Sequence, residues 1–132
     1  CEEWHNFKEF NDWFVVNYVQ GWEIDKDVLS RTLYSPTTCI FLPEHINQFI
    51  KHWASADCID LRTSRIKTRL CGKTIQLDCS DMVDAIEQLD LLRELTLEKY
   101  IFVLENENEM TDSKRNSIAA LKSLLSQYLR CV

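Results

Sequence analysis

Glycine and proline are scarce in this chain, since each occurs only twice among 132 residues. These residues end helices and form most tight turns, so their scarcity predicts long elements, few sharp turns and much helix. The length fits one domain. A chain of this size buries roughly two thirds of its unfolded surface, so it needs neither a disulfide nor a metal to fold.

The apolar segments are short. None approaches the roughly 20 residues that span a bilayer, and no charged leader followed by an apolar core begins the chain. We therefore expect a cytoplasmic protein with no membrane partner. The six cysteines form no Cys-x-x-Cys pair, which favours free buried thiols. Cys1 with His5, or His52 with Cys58, leaves a structural zinc as an alternative.

The first half of the sequence predicts the order helix, strand, loop, strand, helix. Residues 6–19 place aromatic side chains at helical spacing, and Asn6 suits the N-cap. Residues 22–28 alternate apolar and polar side chains, as half-buried strands do. Residues 38–42 form a second β-prone segment after a turn, and Pro43 suits the first turn of the next helix.

Residues 57–79 predict a β-hairpin with a basic face. Apolar and basic residues alternate in its first strand, so Arg65, Lys67 and Arg69 should share one face. With Arg62 and Lys73 nearby, they form the candidate surface for a nucleic acid or another partner. The alternative is an ordinary solvated face.

The remaining residues predict two helices. Ser80 is the expected N-cap of a helix that continues to Leu104 with a break near Thr96. A polar linker over residues 105–112 leads to a last helix, capped by Asp112 or Ser113. The first of these helices has an acidic face that could mimic the charge of a nucleic acid or serve solubility alone; its residues are Asp84, Glu87, Asp90, Glu94 and Glu98.

Net charge is −6 but is distributed unevenly. Residues 1–56 and 80–132 each carry a net −4, whereas residues 57–79 carry +2. Non-specific phosphate binding gains nothing from such a balance. A local site or a protein partner is therefore favoured over broad coating of DNA.

The N-terminal part contains a series of short motifs built from uncommon residues. They are Cys1-Glu2-Glu3-Trp4, the aromatic helix, Ile24-Asp25-Lys26-Asp27, Tyr34-Ser35-Pro36-Thr37-Thr38-Cys39 and Ile46-Asn47. This series resembles the small HNH-type (His-Me finger) endonuclease proteins of phages over residues 1–50. The resemblance implies a ββα-metal unit in residues 1–56. We therefore expect an α+β fold in which residues 57–132 add a β-hairpin and C-terminal helices, packed with the first part as one compact domain.

The resemblance also implies a site. Asp25 and Asn47 would be the ligands of a divalent cation, and their oxygen atoms suit Mg²⁺. Lys26 occupies the position of the catalytic histidine. A general base needs a pKa near the working pH, and lysine ordinarily titrates near 10.4 against about 6.5 for histidine. Neighbouring carboxylates favour the charged form of lysine further, and the loop before Tyr34 is shorter than in the family.

These observations favour a protein of a phage or mobile element that derives from an HNH-type endonuclease and no longer cuts. We expect it to act in the host cytoplasm by binding and inhibiting a host defence nuclease or nucleoprotein complex, of the anti-CRISPR or anti-restriction type, with a DNA site as another partner. Two alternatives stay open: an active metal-dependent DNA endonuclease, and a structural or assembly module. For Asp25 and Lys26, the non-functional reading is a solvated strand face of alternating charge.

Overall fold

The computed structural model describes residues 2–26, 28–29, 34–51, 58–70 and 73–131. A short 3₁₀ turn at Glu2–His5 precedes the main elements. These are α1 (Phe7–Asn17), β1 (Trp22–Asp25), β2 (Ile40–Pro43), α2 (Glu44–Lys51), β3 (Arg65–Leu70), β4 (Lys73–Asp78), α3 (Met82–Glu105) and α4 (Asp112–Cys131). The predicted α+β class is confirmed. None of the described helices is long and apolar enough to cross a membrane.

The first sheet pairs β1 with β2 in antiparallel register, with Asp25 opposite Ile40 and Ile24 opposite Phe41. The outer edge of β2 is covered by α4, because the buried Ser117 hydroxyl donates a 2.7 Å hydrogen bond to the Phe41 carbonyl. An edge covered in this way cannot pair with another chain. The second sheet is the antiparallel hairpin of β3 and β4.

Two clusters of buried side chains pack against these sheets, one against each sheet. The larger gathers residues of β2, α2, α3 and α4 around Leu42, Ile46, Leu97 and Leu121. The smaller lies beneath the hairpin and includes Ile66. The long helix α3 contributes to both, since its first turns supply Ala85 and Leu89 to the smaller cluster and its last turns pack in the larger.

The aromatic face of α1 packs against the other side of β2. Trp13 stacks on Phe41 with the ring centroids 5.4 Å apart, and Phe14 and Tyr18 meet the same ring edge-on. The helical spacing of these aromatic residues predicts a stripe in the core, but Trp13 and Phe14 are only half-buried, and Tyr18 and Phe7 are 46% and 77% exposed. Phe7 is the first residue of the helix and lies beyond the reach of the sheet.

Three predicted boundaries shift, and at α3 and α4 the reason is that a neighbouring residue makes the capping hydrogen bond. Pro43 ends β2 instead of opening α2. The N-cap of α3 is Asp81, whose carboxylate accepts from the Asp84 amide; Ser80 lies one residue earlier. Thr111 caps α4, because its hydroxyl accepts a hydrogen bond from the Lys114 amide.

The predicted break in α3 is absent. The Thr96 hydroxyl donates to the Leu92 carbonyl one turn earlier, at 2.6 Å, so the helix absorbs this polar residue. A second difference concerns β1, which ends at Asp25 instead of continuing to residue 28. The Asp25 carboxylate accepts from the Val28 amide at 3.0 Å and turns the chain out of the strand.

Candidate functional site

Of the predicted site residues of the N-terminal part, Asp25 and Lys26 lie at the end of β1 and Asn47 lies on α2, and these two elements pack against each other. Glu23 and Asp25 are two residues apart on β1, so their side chains leave the same face of the sheet. Their cross-strand partners are Leu42 and Ile40, which face the larger cluster and α2. Asn47 lies in the middle of α2 on its buried side.

Asn47 is 2% exposed, and the two polar atoms of its side chain differ in their hydrogen bonding. Its side-chain nitrogen donates a 2.7 Å hydrogen bond to the Glu23 carboxylate. Its side-chain oxygen is buried and accepts no hydrogen bond from the described residues. A buried acceptor without a donor is costly, and a water or a cation can satisfy it.

Asp25 is 3% exposed, so it is not part of a solvated strand face. One of its carboxylate oxygens holds the Val28 amide in the turn after β1. Asp27, its neighbour in the predicted charged strand, lies outside the described residues. A buried carboxylate at the end of a strand needs a specific partner to stay charged, and the loop amide supplies part of that partnership.

Lys26 is half-buried and lies beside the turn that precedes β2. Its ammonium nitrogen is 5.5 Å from the centroid of the Tyr34 ring. The negative face of an aromatic ring attracts a cation. This contact places the Lys26 ammonium group against the turn that precedes β2.

A buried thiol completes this region. Burial raises the pKa of Cys39; the charge of Asp25 raises it further, and the charge of Lys26 opposes that effect. The turn itself is built by Ser35, whose carbonyl accepts hydrogen bonds from the Thr38 and Cys39 amides. The predicted turn is therefore present, and it holds the thiol close enough to Asp25 and Lys26 for their charges to influence it.

The donors at this junction suit a hard cation in kind but are few. Asn47 and Asp25 are the residues that would hold Mg²⁺, because amide and carboxylate oxygens are its usual ligands. When bound, such an ion would stabilise charge on a scissile phosphate. Among the residues that the structure describes, no group of three or more His, Cys, Asp or Glu side chains could hold a metal.

Glu23 is the member of this site that the sequence reasoning missed. The alternating pattern identifies it only as a polar position of a strand. The available signal was its spacing of two from Asp25, which puts both carboxylates on one face of a strand. What that spacing could not reveal is the helix asparagine 24 residues later in the chain.

The basic face of the hairpin is formed as predicted. Arg65, Lys67 and Arg69 are exposed on one side of β3, whereas Ile66 on the other side is fully buried. An exposed ion pair of 2.6 Å joins Arg65 to Asp78 on β4. Such a pair contributes little to stability and is easily exchanged for a partner's anion.

The two further basic candidates lie elsewhere. Lys73 is opposite Leu70 in the register, so it lies on the same face of the hairpin as Ile66 and not on the basic face. Arg62 is exposed in the turn between Asp60 and β3. A shallow groove beside the basic face is lined by Cys58, Ile59, Asp60, Arg65, Lys67 and Gln76.

Comparison with known proteins adds no relative: no family model, no curated protein and no solved structure matches this chain. The resemblance to HNH-type endonucleases therefore rests on the sequence motifs alone.

Proposed function

We propose that this chain is a phage or mobile-element protein, derived from an HNH-type endonuclease, that binds a host defence nuclease or nucleoprotein complex and inhibits it without cutting DNA. The observation that carries the proposal is the row of exposed cations on β3, Arg65, Lys67 and Arg69. Alternate residues of a strand are about 7 Å apart, so these cations form a row of regularly spaced positive charges. Phosphates of a bound guide or target strand are the matching anions.

The junction of β1 and α2 supports binding over cutting. Lys26 lies against the Tyr34 ring, the Asp25 carboxylate holds a loop amide, and the Asn47 nitrogen is bonded to Glu23. In this arrangement the polar groups of the site stabilise the fold. The acidic balance of the rest of the chain discourages non-specific contact with DNA, so the cations of β3 act where a partner also fits the protein surface.

The test is protection of phage in bacteria that carry a defined CRISPR or restriction system. Wild type should raise the plating efficiency of a targeted phage, and Lys67→Glu with Arg69→Glu should abolish that effect. Lys8→Glu with Lys51→Glu changes net charge equally at exposed positions of α1 and α2, outside the basic face, and should leave protection intact. Equal loss in both double variants, or no protection by wild type against a panel of such systems, contradicts the proposal.

A salt titration distinguishes phosphate contact from contact with a protein's acidic patch. If three cations each neutralise one phosphate of the nucleic acid in a defence complex, the logarithm of affinity should fall with the logarithm of salt at a slope of about −2.7 for a duplex and about −2.1 for a single strand. The Lys67→Glu and Arg69→Glu variant should show a clearly shallower slope.

A second candidate is favoured by one specific observation, the buried Asn47 oxygen that accepts no hydrogen bond from the described residues. A cation there would make the chain a metal-dependent DNA endonuclease. Nicking of supercoiled plasmid in Mg²⁺ or Mn²⁺ by wild type, lost in Asp25→Asn, would establish it. Lys26→His supplies a base of suitable pKa; nicking by this variant alone would show that only the base has been lost.

A further inference from the structure

The helix α3 carries large apolar side chains on two opposite faces. One face is buried in the two clusters through Ala85, Leu89, Leu97 and Ile101. On the opposite face lie Leu91, Leu95 and Phe102, which we call the outer stripe; they are 48%, 53% and 67% exposed. Their spacings of four and seven residues place them in one row along the helix.

Three carboxylates border one side of the outer stripe. Glu94 and Glu98 each follow a leucine of the stripe by three residues, and Glu87 precedes Leu91 by four, so all three lie along its flank. None of the ion pairs between described residues involves them. Their charge is therefore not neutralised by a lysine or arginine of the described part of this chain.

A helix that is apolar on both faces is typical of a helix that is covered on both faces. Single exposed apolar residues are ordinary, but a row on one helix face indicates an interaction surface. The acidic flank restricts what can cover it. An anionic membrane would be repelled, and a second copy packed antiparallel about a two-fold axis would bring like flanks together.

We propose that the outer stripe with its acidic flank is a docking surface for an amphipathic basic helix of a protein partner. Such a helix presents an apolar row to Leu91, Leu95 and Phe102 and places lysines or arginines against Glu94 and Glu98. The surface is separate from the basic face of β3, so the proposal does not depend on the proposed function. It gives the chain two surfaces of opposite charge, as binding to a nucleoprotein would use.

The experiment uses the full chain and two synthetic 18-residue peptides. Both have leucines at helical spacing; one has lysine and arginine at its flanking positions, and the other has glutamate. Binding is measured by fluorescence anisotropy. We expect saturable binding of the basic peptide only, weakened about tenfold or more by Leu95→Gln with Phe102→Gln, and similarly by Glu94→Lys with Glu98→Lys. All four positions are outside the buried clusters, so these variants should fold.

Val15→Gln with Val16→Gln is the matched control, because these residues are exposed on α1 at 69% and 80%. It should bind the basic peptide as wild type does. Lys67→Glu with Arg69→Glu should also bind normally, which separates this test from that of the hairpin. The proposal is overturned if both peptides bind equally, if neither binds, or if light scattering shows a dimer of the chain that the outer-stripe variants dissociate.

Discussion

The Asn47 side chain donates a 2.7 Å hydrogen bond to the Glu23 carboxylate and so connects α2 to β1. The donor is almost fully buried. Its acceptor lies on β1, on the face of the sheet that α2 covers. A hydrogen bond to a carboxylate is stronger than one between neutral groups. This contact fixes the orientation of the amide and thereby points its second polar atom, the oxygen, into the junction.

Replacement of Asn47 by alanine should destabilise the fold. The change removes the donor and leaves Glu23 without this partner, so we expect a loss of about 1–3 kcal/mol in the free energy of unfolding. Urea denaturation at pH 7 measures it. Gln48→Ala is the control, since Gln48 is the exposed neighbour on the same helix and its loss should stay within about 0.5 kcal/mol. Equal midpoints for the two variants would contradict the structural role of Asn47.

Ser117→Ala tests how α4 is attached to the first sheet. The hydroxyl is fully buried and donates to the Phe41 carbonyl on the outer edge of β2. Alanine is the better helix former, so helix propensity alone would raise stability by a few tenths of a kcal/mol. We nevertheless expect a net loss of about 1–2 kcal/mol, because the carbonyl is left without this donor.

The matched control for that experiment is Ser123→Ala, at an exposed position of the same helix. It should be neutral or slightly stabilising in the same urea titration. If Ser117→Ala were also neutral, the edge of β2 would be closed by packing alone, and the hydrogen bond would be incidental.

The basic hairpin was predictable because its information is local. Strict alternation in β3 places Arg65 and Lys67 on the side opposite Ile66, and a period of two needs no knowledge of the rest of the fold. The same holds for Asn6, whose side chain accepts the Lys8 amide at the start of α1 as its sequence position predicts.

The candidate site was predictable only in part, because its decisive contacts join distant residues. Nothing near Glu23 in the sequence indicates that its carboxylate meets Asn47. Burial of Asp25 likewise depends on α2 covering its face of the sheet, so the alternating pattern alone favours a solvated strand face. Phe7 shows the opposite failure, since its helical spacing is right but nothing lies beside it to bury it.

Cys39 should resist alkylation in the native protein. The thiolate is the reactive form, and burial raises the pKa of Cys39 above its usual value as well as shielding it. Iodoacetamide at pH 8 followed by mass mapping should therefore label the partly exposed Cys58 well before Cys39. In urea the two should react alike. Early labelling of Cys39 under native conditions would mean that the turn around Ser35 opens readily.

The start of α3 should lose stability in acid through Asp84. A hydrogen bond from the Ser80 amide lowers the pKa of the Asp84 carboxyl, with smaller contributions from the side chains of Gln88 and Ser80. Because the folded-state pKa is depressed, the ionised form stabilises the fold above the usual aspartate value of about 3.9. That contribution is lost as the pH falls through the lower, folded-state pKa. The difference in thermal midpoint between wild type and Asp84→Asn should therefore be constant from pH 7 to about 5 and shrink below about 4.

Asp12→Asn, which removes one exposed carboxylate from α1, is the charge-matched control. A difference that shrinks equally for Asp12→Asn would attribute the acid effect to net charge instead of the Ser80 hydrogen bond.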